Sequence, residues 1–238
     1  MKACTIPGCG RPTAKAAGTG FAEHHCRYHV QFKARHGSHW CPTYRAAELK
    51  PYVTVARDWV RNHRQHPTVA MALAWLDGLL ANAGRAEMAQ NIKRKPAAER
   101  AKVAFARLRE AGIEAERVLA IYLGVSALIE DDRGSHRVRE FRIVQVAKAL
   151  HRLASGTHKS WEFDTGRGVV PVRMDVYPKS SGLVLRVMGE AIEECAGNVS
   201  GIALEPILAA KQERYGLHAS HLPGWEPLWK RQTKGLEA

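Results

Sequence analysis

The sequence CTIPGC (residues 4–9), followed by CRYH (residues 26–29), decides how the N-terminal end of the chain folds. Together they read C-x4-C-x16-C-x2-H, and four of the five cysteines lie within the first 41 residues. Two close pairs of soft ligands separated by a loop can meet at one tetrahedral ion, provided that the thiols and the imidazole are deprotonated. The spacing predicts a zinc site made of Cys4, Cys9, Cys26 and His29. Two unrelated pairs of buried thiols, or a disulfide, are the alternatives.

The fourth ligand is the least determined member of this set. Several other donors lie within reach along the chain, namely His24, His25, His36, His39 and Cys41. We favour His29 because Cys26-x2-His29 repeats the close spacing of the first pair and can continue into a helix.

The residues CTIPGCGRP (4–12) and CRYH (26–29), with the basic segment that ends at His36-Gly37, resemble the small zinc knuckles at the front of many phage and mobile-element proteins. Some proteins of that kind carry HNH-type nuclease domains. The resemblance covers only this N-terminal segment, and the loop at residues 13–20 is longer than in that pattern. It implies a nucleic-acid context and no particular reaction.

Composition restricts the class of protein. With 238 residues, of which 45% are hydrophobic, the chain can bury a substantial core in one or two domains. No apolar run approaches the roughly 20 residues of a membrane span, and the N-terminus lacks the apolar stretch of a signal peptide. We therefore expect a cytoplasmic protein with reduced thiols and no membrane partner, in which Cys195 is a buried apolar side chain.

The charge of the chain favours an anionic partner. Thirty-six Lys and Arg against 23 Asp and Glu give a net charge of +13, and the excess falls from +6 in residues 1–50 to zero in residues 151–200. A polyanion is attracted to such a field because each neutralised phosphate releases condensed counterions. The alternative is a basic background in which Arg lies on solvated faces. We expect a nucleic acid, DNA rather than RNA, to bind at the zinc end.

The predicted phosphate contacts are basic residues of the zinc knuckle and of the segments that follow it. They are Arg11, Lys15, Arg27, Lys33 and Arg35 in the knuckle, Arg57 and Arg61 in the next predicted helix, and Lys93, Arg94, Lys95, Arg137 and Arg139 further along. Such contacts position a nucleic acid more than they read its sequence. Tyr28 and Phe32 lie among the knuckle cations, where an aromatic ring can stack on a base or pack structurally.

Apolar periodicity predicts a mainly α-helical protein with a small antiparallel β-hairpin late in the chain. We expect the zinc knuckle at residues 1–42, a helical domain at 43–155, and the hairpin with further helices at 156–238, packed on the helical domain. Helices are predicted at 30–36, 43–64, 68–82, 97–111, 114–123, 138–154, 180–195 and 200–215, and strands at 161–163 and 169–177. We also expect a bend at Pro206, and packing of Trp225 and Trp229 on the helices.

Residues 120–126 resemble the centre of a helix-turn-helix motif, with Ala120 at the crossing, Gly124 in a left-handed turn and Ser126 capping the second helix. That second helix would read SALIEDD (residues 126–132), and its acidic residues oppose entry into a DNA groove. We therefore interpret the segment as a structural corner between two helices rather than as a reader of bases.

Patterns for catalysis are weaker than the metal pattern. An HNH-type nuclease would use His24 or His25 as general base, with Asn62 and His63 as later residues of the site. The hairpin offers a second group of polar residues, namely Glu162, Asp164, Asp175 and Lys179. The acid-x-Lys triplet usual in restriction-type nucleases is missing there, and no phosphate-binding loop follows a strand.

We therefore expect a zinc-containing, nucleic-acid-binding accessory or regulatory protein rather than an enzyme, located at the nucleoid when it binds DNA. Two alternatives belong to other classes. One is the HNH-like metal-dependent nuclease. The other is a protein-interaction adaptor, whose knuckle and tryptophan-rich tail engage a protein partner or a second copy of the chain.

Overall fold

The chain folds into a mainly helical structure with one small antiparallel sheet, as predicted. The computed structural model describes residues 2–13, 23–87, 92, 94–154, 159–174 and 181–227. The helices are α1 (Arg27–His36), α2 (Ala46–Asn62), α3 (Pro67–Ala81), α4 (Ala97–Glu110), α5 (Ala115–Asp131), α6 (Arg139–Leu153), α7 (Gly182–Ala196) and α8 (Ser200–Tyr215), and the strands are β1 (Lys159–Asp164) and β2 (Val169–Met174). None of the described helices combines the length with the apolar character that a bilayer span requires.

Helix α5 lies at the centre of the structure because it is apolar on every side. Its residues 118–129 are all buried, and α2, α3, α6 and α8 pack around it. A helix that is hydrophobic on all faces has no solvent side to offer, so it becomes the axis of the bundle. One continuous core reaches from Cys41 to Ile207, so the segments 43–155 and 156–238 contribute to the same core.

The corner predicted at residues 120–126 is wrong, because α5 is a single helix through this segment. The Ser126 hydroxyl does not cap a second helix; it donates to the Tyr122 carbonyl at 2.9 Å, one turn earlier. Gly124 is required by packing, since a Cβ atom there would lie 2.9 Å from Cα of Val53 in α2. The glycine that suits a turn in the sequence pattern instead allows two helices to approach closely.

Strands β1 and β2 form the predicted antiparallel hairpin. The Asp164 carboxylate accepts a hydrogen bond from the Gly166 amide at 2.8 Å, which gives this acid a role in the turn. Glu162 is exposed on β1. Asp175 and Lys179, the other polar residues considered for a nuclease site, lie outside the described residues.

The predicted helix boundaries agree with the structure to within a few residues at most ends. Helix α1 begins earlier than predicted, at Arg27, and α8 continues through Pro206 as one helix. The Trp225 ring packs on the helical structure as expected, because a Cβ atom added to Gly134 would lie 2.7 Å from this ring. Trp229 lies outside the described part of the chain.

A buried ionic cluster ties α8 and the C-terminal segment to the end of α5. The Asp131 carboxylate accepts from the Tyr52 hydroxyl at 2.6 Å and from the Lys211 ammonium at 2.9 Å, and His221 lies 3.0 Å from it. Burial raises the pKa of Asp131, but these donors outweigh it, so the net pKa is lowered. Lys211 is only 4% exposed, so its charge is neutralised inside the fold.

Candidate metal centre

Cys4, Cys9, Cys26 and His29 converge as their spacing predicts, with all four ligand atoms within 4.8 Å of one another. The Sγ atoms of Cys9 and Cys26 are 3.7 Å apart, and Nδ1 of His29 lies 3.4 Å from Sγ of Cys4 and 3.4 Å from Sγ of Cys26. The cysteines are free thiols and form no disulfide. In the part of the chain that the structure describes, this is the one group of His, Cys, Asp or Glu side chains placed to hold a metal.

A tight turn places the first two ligands. The Cys9 amide donates to the Ile6 carbonyl at 3.1 Å, and Gly8 has φ of 73°, a left-handed conformation that glycine adopts without strain. The Cys4 amide donates to the Arg11 carbonyl at 2.9 Å, across the two arms of the turn. These bonds fold the segment back on itself and bring the two thiols together.

The first turn of α1 places the second pair. Cys26 is the N-cap residue, and its carbonyl accepts from the Val30 amide at 3.1 Å. Positions three residues apart lie on the same side of a helix, so the His29 imidazole lies beside the Cys26 thiol. The Thr5 amide donates to the His24 carbonyl at 2.8 Å, which holds the second pair against the first.

Local groups shift two of the ligands toward the forms that bind a metal. Burial raises the pKa of the Cys26 thiol, but hydrogen bonds from the His29 amide and the neighbouring thiols outweigh it, so the net pKa is lowered. Burial, then the charges of His25 and Arg11, lower the pKa of His29 and favour the neutral imidazole. Burial and the nearby thiols raise the pKa of Cys9. A bound cation reverses that last effect, because a coordinating thiol loses its proton.

The other nearby donors have different partners. His25 and His39 stack with their ring centroids 3.6 Å apart, and Nδ1 of His39 lies 3.3 Å from the His29 carbonyl oxygen. His36 is hydrogen-bonded at the far end of α1, and Cys41 packs in the main core. The geometry therefore groups His29, and none of these residues, with the three cysteines.

The knuckle has little core of its own. Its buried cluster consists of Cys4, Ile6 and Cys26, and Trp40 packs both on this cluster and on the core of the body, by which we mean residues 43–227. The Trp40 ring also lies 4.1 Å from the ring of His136. Trp40 thus joins the knuckle to the body.

The far end of α1 is docked on α6 and α7 of the body. The Arg186 guanidinium donates to the Ala34 carbonyl at 3.1 Å, and the Gln145 amide donates to the His36 carbonyl at 3.0 Å. The last carbonyls of a helix have no partner within it, so these side chains complete α1. Gly37 has φ of 78°, and a Cβ atom there would lie 2.6 Å from the Glu140 carbonyl oxygen. The close contact accounts for glycine at this position.

Some of the predicted phosphate contacts are free to meet a ligand. The Arg11 guanidinium lies over the Tyr28 ring, 4.9 Å from its centroid, and that ring is 51% exposed. The arginines of the predicted set that are exposed and form no ion pair with any described residue are Arg11, Arg27, Arg35, Arg57 and Arg94. Lys15 and Lys93 lie outside the described residues.

The other predicted contacts pair with carboxylates. The pairs are Lys33 with Glu140 at 3.0 Å, Arg61 with Glu116 at 2.8 Å, Arg137 with Glu130 at 3.7 Å, Lys95 with Glu87, and Arg139 with Glu193. Surface pairs of this kind contribute about 1 kcal/mol or less, but each reduces the charge offered to a phosphate. The partner of Arg61 is 55 residues away along the chain, so no local pattern reveals it.

Most residues of the HNH alternative are engaged in local structure. His24 is exposed, and His25 is stacked on His39. Asn62 ends α2, and the His63 ring stacks on Trp59 with 4.3 Å between centroids, with Nδ1 2.8 Å from the Trp59 carbonyl oxygen. Within the described ranges, no second group of metal ligands lies beside them.

No protein-family model, no curated protein and no solved structure significantly matches this chain. The assignment of function therefore depends on the geometry and the charge of the chain itself. The likeness of its N-terminal segment to phage and mobile-element knuckles stays a prediction from the sequence.

Proposed function

We propose that this chain is a zinc-containing protein that binds nucleic acid, DNA in preference to RNA, as an accessory or regulatory factor of phage or mobile-element type. The observation that carries the proposal is the convergence of three thiols and one imidazole in the most basic fifth of the chain. A metal that holds this segment rigid also fixes the positions of the cations around it.

The distances within the ligand group favour zinc. Tetrahedral bonds of about 2.3 Å to sulfur and about 2.0 Å to nitrogen give S···S edges of about 3.8 Å and S···N edges of about 3.5 Å. The S···S distance between Cys9 and Cys26 is 3.7 Å, and the S···N distances from His29 to Cys4 and to Cys26 are both 3.4 Å. Three Cys and one His also fill all four positions of a tetrahedral ion, which is the pattern of a structural site rather than a catalytic one.

The charge around the ligand group supports a nucleic-acid partner. Arg11, Arg27 and Arg35 are exposed, and the exposed Tyr28 ring lies under the first of them. Cations interleaved with an aromatic face can hold phosphates and stack on a base. Backbone contacts of this kind supply affinity and orientation, so we expect weak preference among DNA sequences.

A metal analysis combined with a salt-series DNA titration tests the proposal. We expect one zinc per chain, and binding that weakens steeply between about 50 and 200 mM salt, as counterion release requires (about 0.9 in log–log slope per phosphate contact). Cys9→Ser should abolish both zinc and DNA binding. Cys195→Ser, the same change outside the knuckle, should preserve both. Binding that is absent, or insensitive to salt, would refute the proposal.

A protein-interaction adaptor is the second candidate, because one specific surface favours it. An apolar groove of about 910 Å³ lies between α3, α4 and α7, and Trp75 on its edge is 49% exposed. Exposed apolar surface that is rimmed by polar residues can mark a protein contact. Co-purification of a stoichiometric protein partner, together with no affinity for DNA, would favour the adaptor.

A further inference from the structure

Basic residues without an acidic partner collect on one face of the body, next to the end of α1. They are Arg35 of α1, Lys50 and Arg57 of α2, Arg117 of α5 and Lys148 of α6, here called the cationic strip. None of the five forms an ion pair with any residue that the structure describes. Lys50, Arg117 and Lys148 are not among the contacts predicted from the sequence.

The acids on the same helices are engaged elsewhere. Asp58 of α2 pairs with Arg214 at 3.2 Å, and Glu116 of α5 pairs with Arg61 at 2.8 Å. Glu48 accepts from the Arg45 amide at the start of α2. The cationic strip therefore has one sign of charge.

A cavity lies beside Lys50 and Arg117 of the cationic strip. It has a volume of about 400 Å³ between α2, α5 and α6, and Lys50, Arg117 and Arg152 line it together. Its other walls are mainly apolar, with Leu49, Val53, Ile121, Ala149 and Leu153 among them. A cleft lined by one sign of charge with walls of low dielectric focuses the electric field and concentrates counterions.

The members of the cationic strip are near enough to perturb one another. Burial, then the charges of Arg152 and Arg35, lower the pKa of Lys148 to about 8. Burial, then the charge of Arg57, lower the pKa of Arg117. The Lys148 ammonium donates to the Thr43 hydroxyl at 2.8 Å, a neutral partner that leaves its charge uncancelled. Such repulsion costs stability unless an anion binds, and it is typical of functional sites.

We propose that the cationic strip binds the sugar-phosphate backbone of DNA and extends the contact surface from the knuckle onto the body. The inference depends on the proposed function and adds a second phosphate-binding surface to that of the knuckle. Arg35 lies on the knuckle helix, so the two surfaces are continuous. Contacts of this kind supply affinity and orientation more than preference for a sequence.

The test is a salt-series titration of a DNA duplex with the full chain and with Lys50→Gln/Arg117→Gln. The double variant should bind at least about tenfold more weakly, and its log–log salt slope should be smaller by about 2, because two phosphate contacts are lost. The matched control is Arg85→Gln/Lys102→Gln, two exposed cations away from the cationic strip, with the same change in net charge. It should alter the slope little.

Zinc content and the thermal transition are measured on each variant to show that it is folded. If the double variant misfolds, the single variant Lys50→Gln is used instead, because Lys50 is exposed. It should lower the slope by about 1. If the parent binds DNA and the strip variants bind equally well, the inference is wrong and the proposed function stands. If the parent does not bind DNA, both fail. If octanoate binds in the cavity, and the strip variants lose this binding without any change in DNA affinity, the inference is also wrong.

Discussion

The knuckle and the body are stabilised by different means. The knuckle buries Cys4, Ile6 and Cys26 as its own apolar cluster, and two of these three belong to the candidate metal centre. The body buries one continuous core around α5. Burial in so small a cluster cannot offset the loss of chain entropy, so under the proposed function a metal ion and docking contacts hold the knuckle, while packing alone holds the body.

This contrast explains which signals in the sequence are informative. A metal-held segment is encoded by a few ligands at fixed spacing, and the residues between them can vary. A packed bundle is encoded by apolar residues that recur along every helix. Changes in the two regions should therefore have separable effects.

The largest effect is expected from Cys26→Ser, which should unfold the knuckle and leave the body folded. A structural zinc supplies on the order of 10 kcal/mol to the folding of a small domain. Hydrogen exchange should become fast for the amides of α1 and stay slow for those of α5, and zinc should be absent by metal analysis.

Cys195→Ser is the control, because it makes the same chemical change at a cysteine of α7 outside the ligand group. It should keep the zinc and the protection of α1. If α1 stayed protected in Cys26→Ser, docking contacts such as the Arg186 hydrogen bonds would suffice to hold the knuckle, and the contrast between the regions would be lost.

A smaller effect on the free energy of unfolding is expected when two glycines of the body are replaced by Ala. The effect should have opposite signs at the two sites. Gly→Ala in a helix ordinarily stabilises by about 0.5–1 kcal/mol. Gly78 in α3 has no neighbouring atom within 4 Å of the position that a new methyl group would take, so Gly78→Ala should raise the free energy of unfolding. Gly124→Ala should lower it by about 1–3 kcal/mol, because the new Cβ atom would meet Val53 at 2.7 Å.

Denaturant unfolding with zinc present measures both changes. The zinc content of both variants should equal that of the parent, because neither glycine lies in the knuckle. Equal effects at the two positions would contradict the assignment of Gly124 to a contact between helices.

The ligand group and most helices can be predicted from the sequence because their signals are local. Cys26 and His29 lie on one helical turn, and the helix predicted at 97–111 is found at Ala97–Glu110. The prediction for Gly124 is wrong because the same residue suits a turn and a close contact, and only the position of Val53 decides between them.

The charged surface is harder to predict because its pairing is set by the tertiary fold. Lys33 is a predicted phosphate contact, but it pairs with Glu140 of α6. Lys50 and Arg117 have no distinguishing signal in the sequence, yet the fold brings them to one cavity. Such neighbours come from different helices, so neither spacing nor composition reveals them.

The smallest effect on the free energy of unfolding is expected at the joint between the knuckle and the body, by which we mean the contacts of His36 with Thr43 and Lys148. Nδ1 of His36, at the end of α1, accepts from the Thr43 amide at 3.1 Å, and the Lys148 ammonium lies 3.4 Å from the same atom. Burial, then the charges of Lys148 and Arg35, lower the pKa of His36 to about 4. The unfolded chain takes up this proton near pH ~6.5. Between about pH 6.5 and 4 the unfolded chain therefore binds this proton and the folded chain does not. The free energy of unfolding is highest above about pH 6.5 and falls as the pH decreases toward about 4.

His36→Asn keeps an acceptor for the Thr43 amide but cannot titrate. Its free energy of unfolding should fall less steeply between about pH 6.5 and 4.5 than that of the parent, by about 1 kcal/mol at most, because the half-exposed site is screened by solvent. The candidate metal centre is unchanged by the substitution, and the lost stacking of His36 on Phe32 shifts the whole profile without changing its slope. Parallel profiles would show that protonation of His36 does not disturb the joint, so knuckle and body would then meet without an electrostatic penalty at this residue.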